Sequence, residues 1–190
     1  MVPLYYPDYT PPIYSKRVLF FGRMNPYKGV DNLLSIVRLC PHIHFDLVGR
    51  VDPQVKDVVH ELQKEPNVHL KSGYVSNEEM EHYFISSDWV IVPYSSATQS
   101  GIIIDSYKYG RPVIAFSVGA IEEQVKDGVS GYLVPPGDNE KFASVLKKAL
   151  SMDKDDYLLM SKQAYEYGAK KYAATGAVDR FKQLFEADGY

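Results

Sequence analysis

The sequence predicts an α/β fold built on a doubly wound parallel sheet, and three features predict it. Short apolar runs that are β-branched and nearly free of charge, Trp89 to Val92 and Val113 to Phe116 among them, have the composition of parallel strands buried on both faces. Parallel neighbours need a crossover between them, and segments with helical spacing separate the runs. Glycine-bearing loops follow the strands, at the sheet edge where doubly wound sheets bind ligands. With 190 residues, 45% of them hydrophobic, the chain can bury one substantial core.

Taken in order, residues 1 to 15 hold four prolines and four tyrosines without helical or strand period, so an extended lead-in is expected. Lys16 to Phe21 is the first strand, and the loop from Gly22 to Gly29 leads into a helix ending near Leu39. His44 to Gly49 is the second strand, Val55 to Gln63 has helical spacing, Val68 to Leu70 is a short strand, and an acidic helix starts near Asn77. Between Trp89–Val92 and Val113–Phe116 the segment Gly101 to Tyr109 has three consecutive isoleucines, which alone favour a strand. Topology requires a helix there, with Ser100 as N-cap and Gly110 as C-cap. Asp138 caps a helix to about Leu150, and two more are expected over Lys154 to Ala173 and Ala177 to Ala187.

Composition narrows the partners. A formal net charge of −3, with no basic block, argues against nucleic acid and against an anionic membrane surface. Cys40 is the single cysteine, cannot form an internal disulfide and reads as a small core residue, which fits a reducing compartment. No apolar run approaches the roughly 18 residues that span a bilayer, so a cytoplasmic chain without a transmembrane segment is expected.

Two loops carry chemistry. The N–H groups of Gly101, Ile102 and Ile103 at a helix start suit a diphosphate, and Asp105, one turn on, can accept from ribose hydroxyls or can simply complement the helix dipole. In the first loop Arg23 offers a planar fork to phosphate oxygens and Lys28 a mobile point charge. The same two residues also read as solvated surface cations. Asp153-Lys154-Asp155 has the spacing of a metal-binding sugar transferase, yet it sits at a helix start far from any strand end, and its acids suit the helix dipole there. The five histidines show no zinc-site pairing.

These stretches together resemble the donor-binding half of GT-B glycosyltransferases, specifically the retaining group called family 4, or glycosyl transferases group 1. That group's signature is two glutamates separated by seven residues, then Gly-x-Pro and a strand. Here Asp105 stands at the second glutamate, Gly110-Arg111-Pro112-Val113 follows in register, and Ala97 stands at the first. Gly22-Arg23 followed by Lys28-Gly29 resembles the group's first loop, although Val51 replaces a frequent second glycine after the second strand. Gly73-Tyr74-Val75 resembles the loop that frames the base. Ser117 to Glu123 and Asp127 to Val134 match a further pattern, with Ala120 for glycine and Glu122 for proline.

The resemblance covers about residues 16 to 150 and implies a Rossmann-like donor-binding domain over that range, one half of a GT-B architecture. It implies an inter-domain connector over 1 to 15, and over 151 to 190 helices that pack toward an acceptor domain absent from this chain. The implied reaction moves a hexose from a nucleoside diphosphate sugar to a glycan or lipid-linked acceptor, as in polysaccharide biosynthesis, with no cofactor and no bound metal. Arg23 and Lys28 would stabilise the leaving diphosphate. Gly22, Tyr74, Val75, Thr98, Gln99, Ser100, Gly101, Ile102 and Asp105 would bind the donor, Thr98 and Gln99 supplying hydroxyl and amide bonds in place of the first glutamate. The full-length protein would be a hexosyl glycosyltransferase, cytoplasmic and open to peripheral membrane association, while the isolated domain would transfer nothing. Two alternatives stand: half of a nucleotide-sugar epimerase, which the Arg23 and Lys28 loop disfavours, and a non-catalytic nucleotide-sugar-binding module, which Ala97 favours.

Overall fold

The computed structural model describes residues 6–173. Its strands are β1 (Arg17–Phe21), β2 (His44–Gly49), β3 (Val68–Ser72), β4 (Trp89–Val92), β5 (Val113–Phe116) and β6 (Gly131–Val134). They form one sheet in the order β3-β2-β1-β4-β5-β6, every pair parallel. Chain order reverses between β1 and β4, so the loops leaving those two strands border a crevice at the carboxyl edge.

The helices are α1 (Val30–Leu39), α2 (Lys56–Lys64), α3 (Asn77–Ser86), α4 (Gly101–Lys108), α5 (Ile121–Gln124), α6 (Asn139–Leu150) and α7 (Lys154–Tyr172). Contacts join α1 to α2 and α6 on one face and α4 to α7 on the other. α3 lies on the second face, where Phe84 packs on Phe21 and on Tyr109. β4 and β5 are buried along their whole length, which is why their sequences carry no polar alternation. Local chemistry sets several boundaries: Ser76 and Glu79 close a capping box on α3, while Asp138 and Asp153 accept from the first turns of α6 and α7. Asp153 is thus a helix cap, and among the described residues no cluster of three His, Cys, Asp or Glu side chains is placed to hold a metal ion. Cys40 is buried in the core.

Several boundaries differ from expectation for local reasons. The first loop contains a single 3-10 turn, Pro26–Lys28, that ends on left-handed Gly29 before α1 begins. A second such turn, Pro53–Val55, precedes α2, and β3 extends to Ser72 because β2 offers it a full ladder. Residues 6–15 form no strand or helix and lie along α7, where the Tyr165 hydroxyl donates to the Pro7 carbonyl at 2.7 Å and Tyr14 stacks on Tyr157. Buried Asp88 then receives the N–H groups of Ser15 and Arg17 and so fixes the entry into β1. α7 packs on α4 so closely that a Cβ at Gly168 would lie 2.4 Å from Tyr107 Cβ. The helix expected over 177–187 lies outside the described residues. No helix among the described residues is long and apolar enough to cross a membrane.

Candidate functional site

The loop after β1 is fastened at both ends. At its start, Gly22 N–H donates to the Val48 carbonyl and Met24 N–H to the Arg50 carbonyl, which continues the β1–β2 pairing beyond the strands. Gly49 permits this contact, since a Cβ there would sit 2.0 Å from the Gly22 oxygen. At its end, Gly29 has φ 67°, and a Cβ would sit 1.9 Å from the Pro93 oxygen. Asn32 Nδ2 donates to that oxygen at 3.1 Å, and Ser95 N–H donates to the Tyr27 carbonyl. Three loops at the carboxyl edge therefore form one connected rim.

Lys28 occupies the space that Gly22 leaves open. A Cβ at Gly22 would lie 2.6 Å from Lys28 Nζ and 3.8 Å from the Ile102 side chain, so the ammonium stands between the first loop and the start of α4. Nζ also lies 5.3 Å from the centroid of the Tyr94 ring, within cation–π range. Among the described residues no carboxylate lies within ion-pair distance of Lys28. Burial without a counter-charge lowers its pKa from 10.5 to about 8. Burial likewise pushes the Tyr94 phenol up to about 12, with the Ser100 hydroxyl opposing.

At the start of α4, Ser100 holds the N-cap position, but contrary to expectation its hydroxyl makes no cap bond. The side chain is buried, and Oγ completes no well-formed hydrogen bond among the described residues. Instead Gln124 on α5 grips the Ser100 backbone: Ser100 N–H donates to Oε1 at 2.8 Å, and Nε2 donates to the Ser100 carbonyl at 3.1 Å. Among the described residues no acceptor takes the N–H of Gly101, Ile102 or Ile103. A Cβ at Gly101 would meet nothing within 4 Å, so the space before the helix tip is open. An uncapped helix start and an unpaired ammonium thus border one crevice, an arrangement suited to a polyvalent anion.

The other predicted residues are placed differently. Arg23 is exposed and bonds Asp52 at 2.7 Å, so its fork is occupied by the loop after β2. Asp105 is paired with Lys108 one turn along α4, Nζ lying 2.8 Å from Oδ1, which leaves its second oxygen able to accept. Thr98 and Gln99 are exposed on the loop before α4, and the Ala97 carbonyl packs where a Cβ on Gly119 would come within 2.1 Å. Tyr74 is 83% exposed beyond β3, while Val75 packs against the core. The structure therefore brings Gly22, Lys28, Ser100, Gly101 and Ile102 together, leaves Arg23, Thr98 and Gln99 on the adjoining loops and Asp105 one turn along α4, and sets Tyr74 and Val75 on the loop after β3. Sequence reasoning missed Gln124, Tyr94, Asn32, Asp52 and Lys108. Only Lys108, three residues after Asp105, carried a local signal.

Comparisons with known proteins place the chain in a family and agree with its fold. The family model "Glycosyl transferases group 1" matches residues 15–152. A 41.2 kDa uncharacterized protein of the Klebsiella pneumoniae cps region is 27% identical over 173 residues, 90% of this chain and 46% of that one. A D-inositol 3-phosphate glycosyltransferase of Mycolicibacterium gilvum is 27% identical over 142 residues, 72% of this chain and 32% of that one. The crystal structure of Anabaena Alr3699/HepE in complex with UDP superposes with a TM-score of 0.76 at 20% identity, covering 90% of this chain and 49% of that one. The chain spans from a third to about half of the length of these relatives.

Proposed function

Because the chain belongs to the glycosyl transferases group 1 family, we propose that its crevice binds the diphosphate of a nucleotide-activated sugar. The reading is that of the donor half of a retaining, metal-independent hexosyltransferase acting on a glycan or lipid-linked acceptor. The observation that carries it is the unpaired ammonium of Lys28 set against the uncapped start of α4. Departure of the nucleoside diphosphate from the sugar's anomeric carbon leaves negative charge on the β-phosphate oxygen. Lys28 and the N–H groups of Gly101, Ile102 and Ile103 are placed to meet it before reaction, so little reorganisation is needed as it develops. The Ser100 hydroxyl adds a donor. Arg23 joins once a phosphate draws its fork from Asp52, and Asp105 turns from Lys108 to a ribose. Tyr74 and Val75 follow β3 at the same edge of the sheet, on the side where the base would lie, and the UDP of the Anabaena relative supports a nucleotide on this fold. The acceptor would be held by a partner domain such as the longer relatives have room for.

A second reading, a non-catalytic nucleotide-sugar-binding module, draws support from Ala97, whose backbone packs at Gly119 and whose methyl offers nothing to a sugar hydroxyl. Calorimetry of this chain with UDP, GDP and ADP and with the matching nucleosides tests the shared premise. One diphosphate should bind at least tenfold more tightly than its nucleoside, and equal affinities across each pair would refute a phosphate site. Sugar transfer by a chain carrying the acceptor half, abolished by Lys28→Ala, separates enzyme from module.

A further inference from the structure

We propose that Gln124 is a positioning residue that aims the phosphate-binding tip of α4. The proposal rests on the donor reading above and names a side chain which touches no ligand in it.

The direction of the first three N–H vectors of a helix is set by the peptide that enters it. That peptide is usually held by a capping side chain. In α4 the Ser100 hydroxyl makes no such bond, so the entering turn needs another restraint. Gln124 supplies one from outside the helix, with both backbone polar groups of Ser100 bonded to one amide. The chemistry dictates the amide's orientation, because the Ser100 N–H can only donate and its carbonyl can only accept. Gln124 is 4% exposed, and a bidentate contact away from water holds its partner in one geometry.

A clamp positions only if it is itself fixed, and Gln124 is anchored on both sides. Its own carbonyl accepts from the Tyr107 hydroxyl at 3.2 Å, and Tyr107 belongs to the body of α4. The preceding Glu123 carbonyl accepts from the Tyr167 hydroxyl at 3.2 Å and from Lys171, both on α7. Tip and body of α4 are thereby referred to the same short element. Gln124 sets the angle between them, and through it the aim of the N–H groups at Gly101, Ile102 and Ile103.

The test uses this chain and calorimetry with UDP, GDP and ADP beside the corresponding nucleosides. Gln124→Leu removes both bonds at similar volume, and Gln124→Met does so with a flexible side chain of matching length. For the diphosphate that binds wild type, affinity should fall tenfold or more in both variants, while nucleoside affinity stays within twofold. Equal loss for nucleoside and diphosphate, failure of both variants to fold, or undiminished diphosphate binding overturns the proposal and leaves Gln124 as ordinary core packing. If wild type binds no diphosphate in preference to its nucleoside, the donor reading itself has failed. That outcome is seen before any variant is made.

Discussion

The first loop holds two cations five residues apart, and the fold treats them in opposite ways. Arg23, at the start, remains exposed and is bonded to Asp52. Lys28, at the end, is largely buried over the Tyr94 ring with no described carboxylate near it. Exposed ion pairs contribute about 0 to 1 kcal/mol, because water already solvates both partners. A buried unpaired ammonium is held at a cost, and a ligand phosphate relieves that cost on binding. On the proposed reading what separates the two residues is readiness: Lys28 would meet a phosphate directly, whereas Arg23 would first have to leave Asp52.

The largest effect should come from removing the waiting charge. Lys28→Ala should weaken nucleoside diphosphate binding by about 1.5 to 3 kcal/mol, the range of a well-formed charge-assisted contact, with little change for the nucleoside. Calorimetry at physiological salt checks it, and a loss that disappears as salt is raised would mean Lys28 acts only at long range.

Next comes pH. The pKa of Lys28 in the free protein is lowered to about 8, and a bound phosphate favours its protonated form. Diphosphate affinity should therefore be level below about pH 8 and fall above it, by up to tenfold per pH unit until the bound-state pKa is passed. The stability of the unliganded protein should move the other way. The folded state releases this proton more readily than the unfolded chain, so stability rises between about pH 8 and the ordinary lysine pKa near 10.5. Affinity and thermal melts recorded from pH 7 to 10, compared with Lys28→Ala, isolate the residue. An unchanged pH profile in the variant would assign the titration elsewhere.

Asp105 should matter less than its position alone suggests, because Lys108 already balances its charge. Asp105→Asn is expected to weaken diphosphate and nucleoside alike by about 1 to 2 kcal/mol, since a ribose contact serves both. A loss confined to the diphosphate would place Asp105 at the phosphates instead.

The smallest effects belong to Arg23. Arg23→Ala should cost less than about 1 kcal/mol of diphosphate affinity, and Asp52→Asn should improve it two- to threefold by freeing the fork. If Asp52→Asn weakens binding, the pair positions Arg23 for the ligand rather than withholding it, and the contrast drawn above between the two cations fails.

Much of the fold was legible because its signals are local. Parallel strands buried on both faces show as short charge-free runs, Asp138 and Asp153 announce helix starts, and Gly29 marks a backbone that other residues would strain. The loops that border the candidate crevice were equally legible, since glycine loops at strand ends have one destination in a doubly wound sheet. The partners of its side chains were not. Asp52 meets Arg23 across 29 residues and Gln124 meets Ser100 across 24, and nothing in either local sequence announces the other. Ser100 shows the limit most plainly, for its residue type predicts a cap that its hydroxyl does not make.

By itself, then, the sequence determined the alternation of strand and helix, the edge of the sheet that carries the glycine loops and the residues offered there, because periodicity, capping and glycine act within a few positions. Only the tertiary structure decided which of two like charges is desolvated and which is paired, and which side chain holds the Ser100 backbone at the start of α4. Solvation and counter-charges depend on neighbours that the sheet order, not the chain order, brings together.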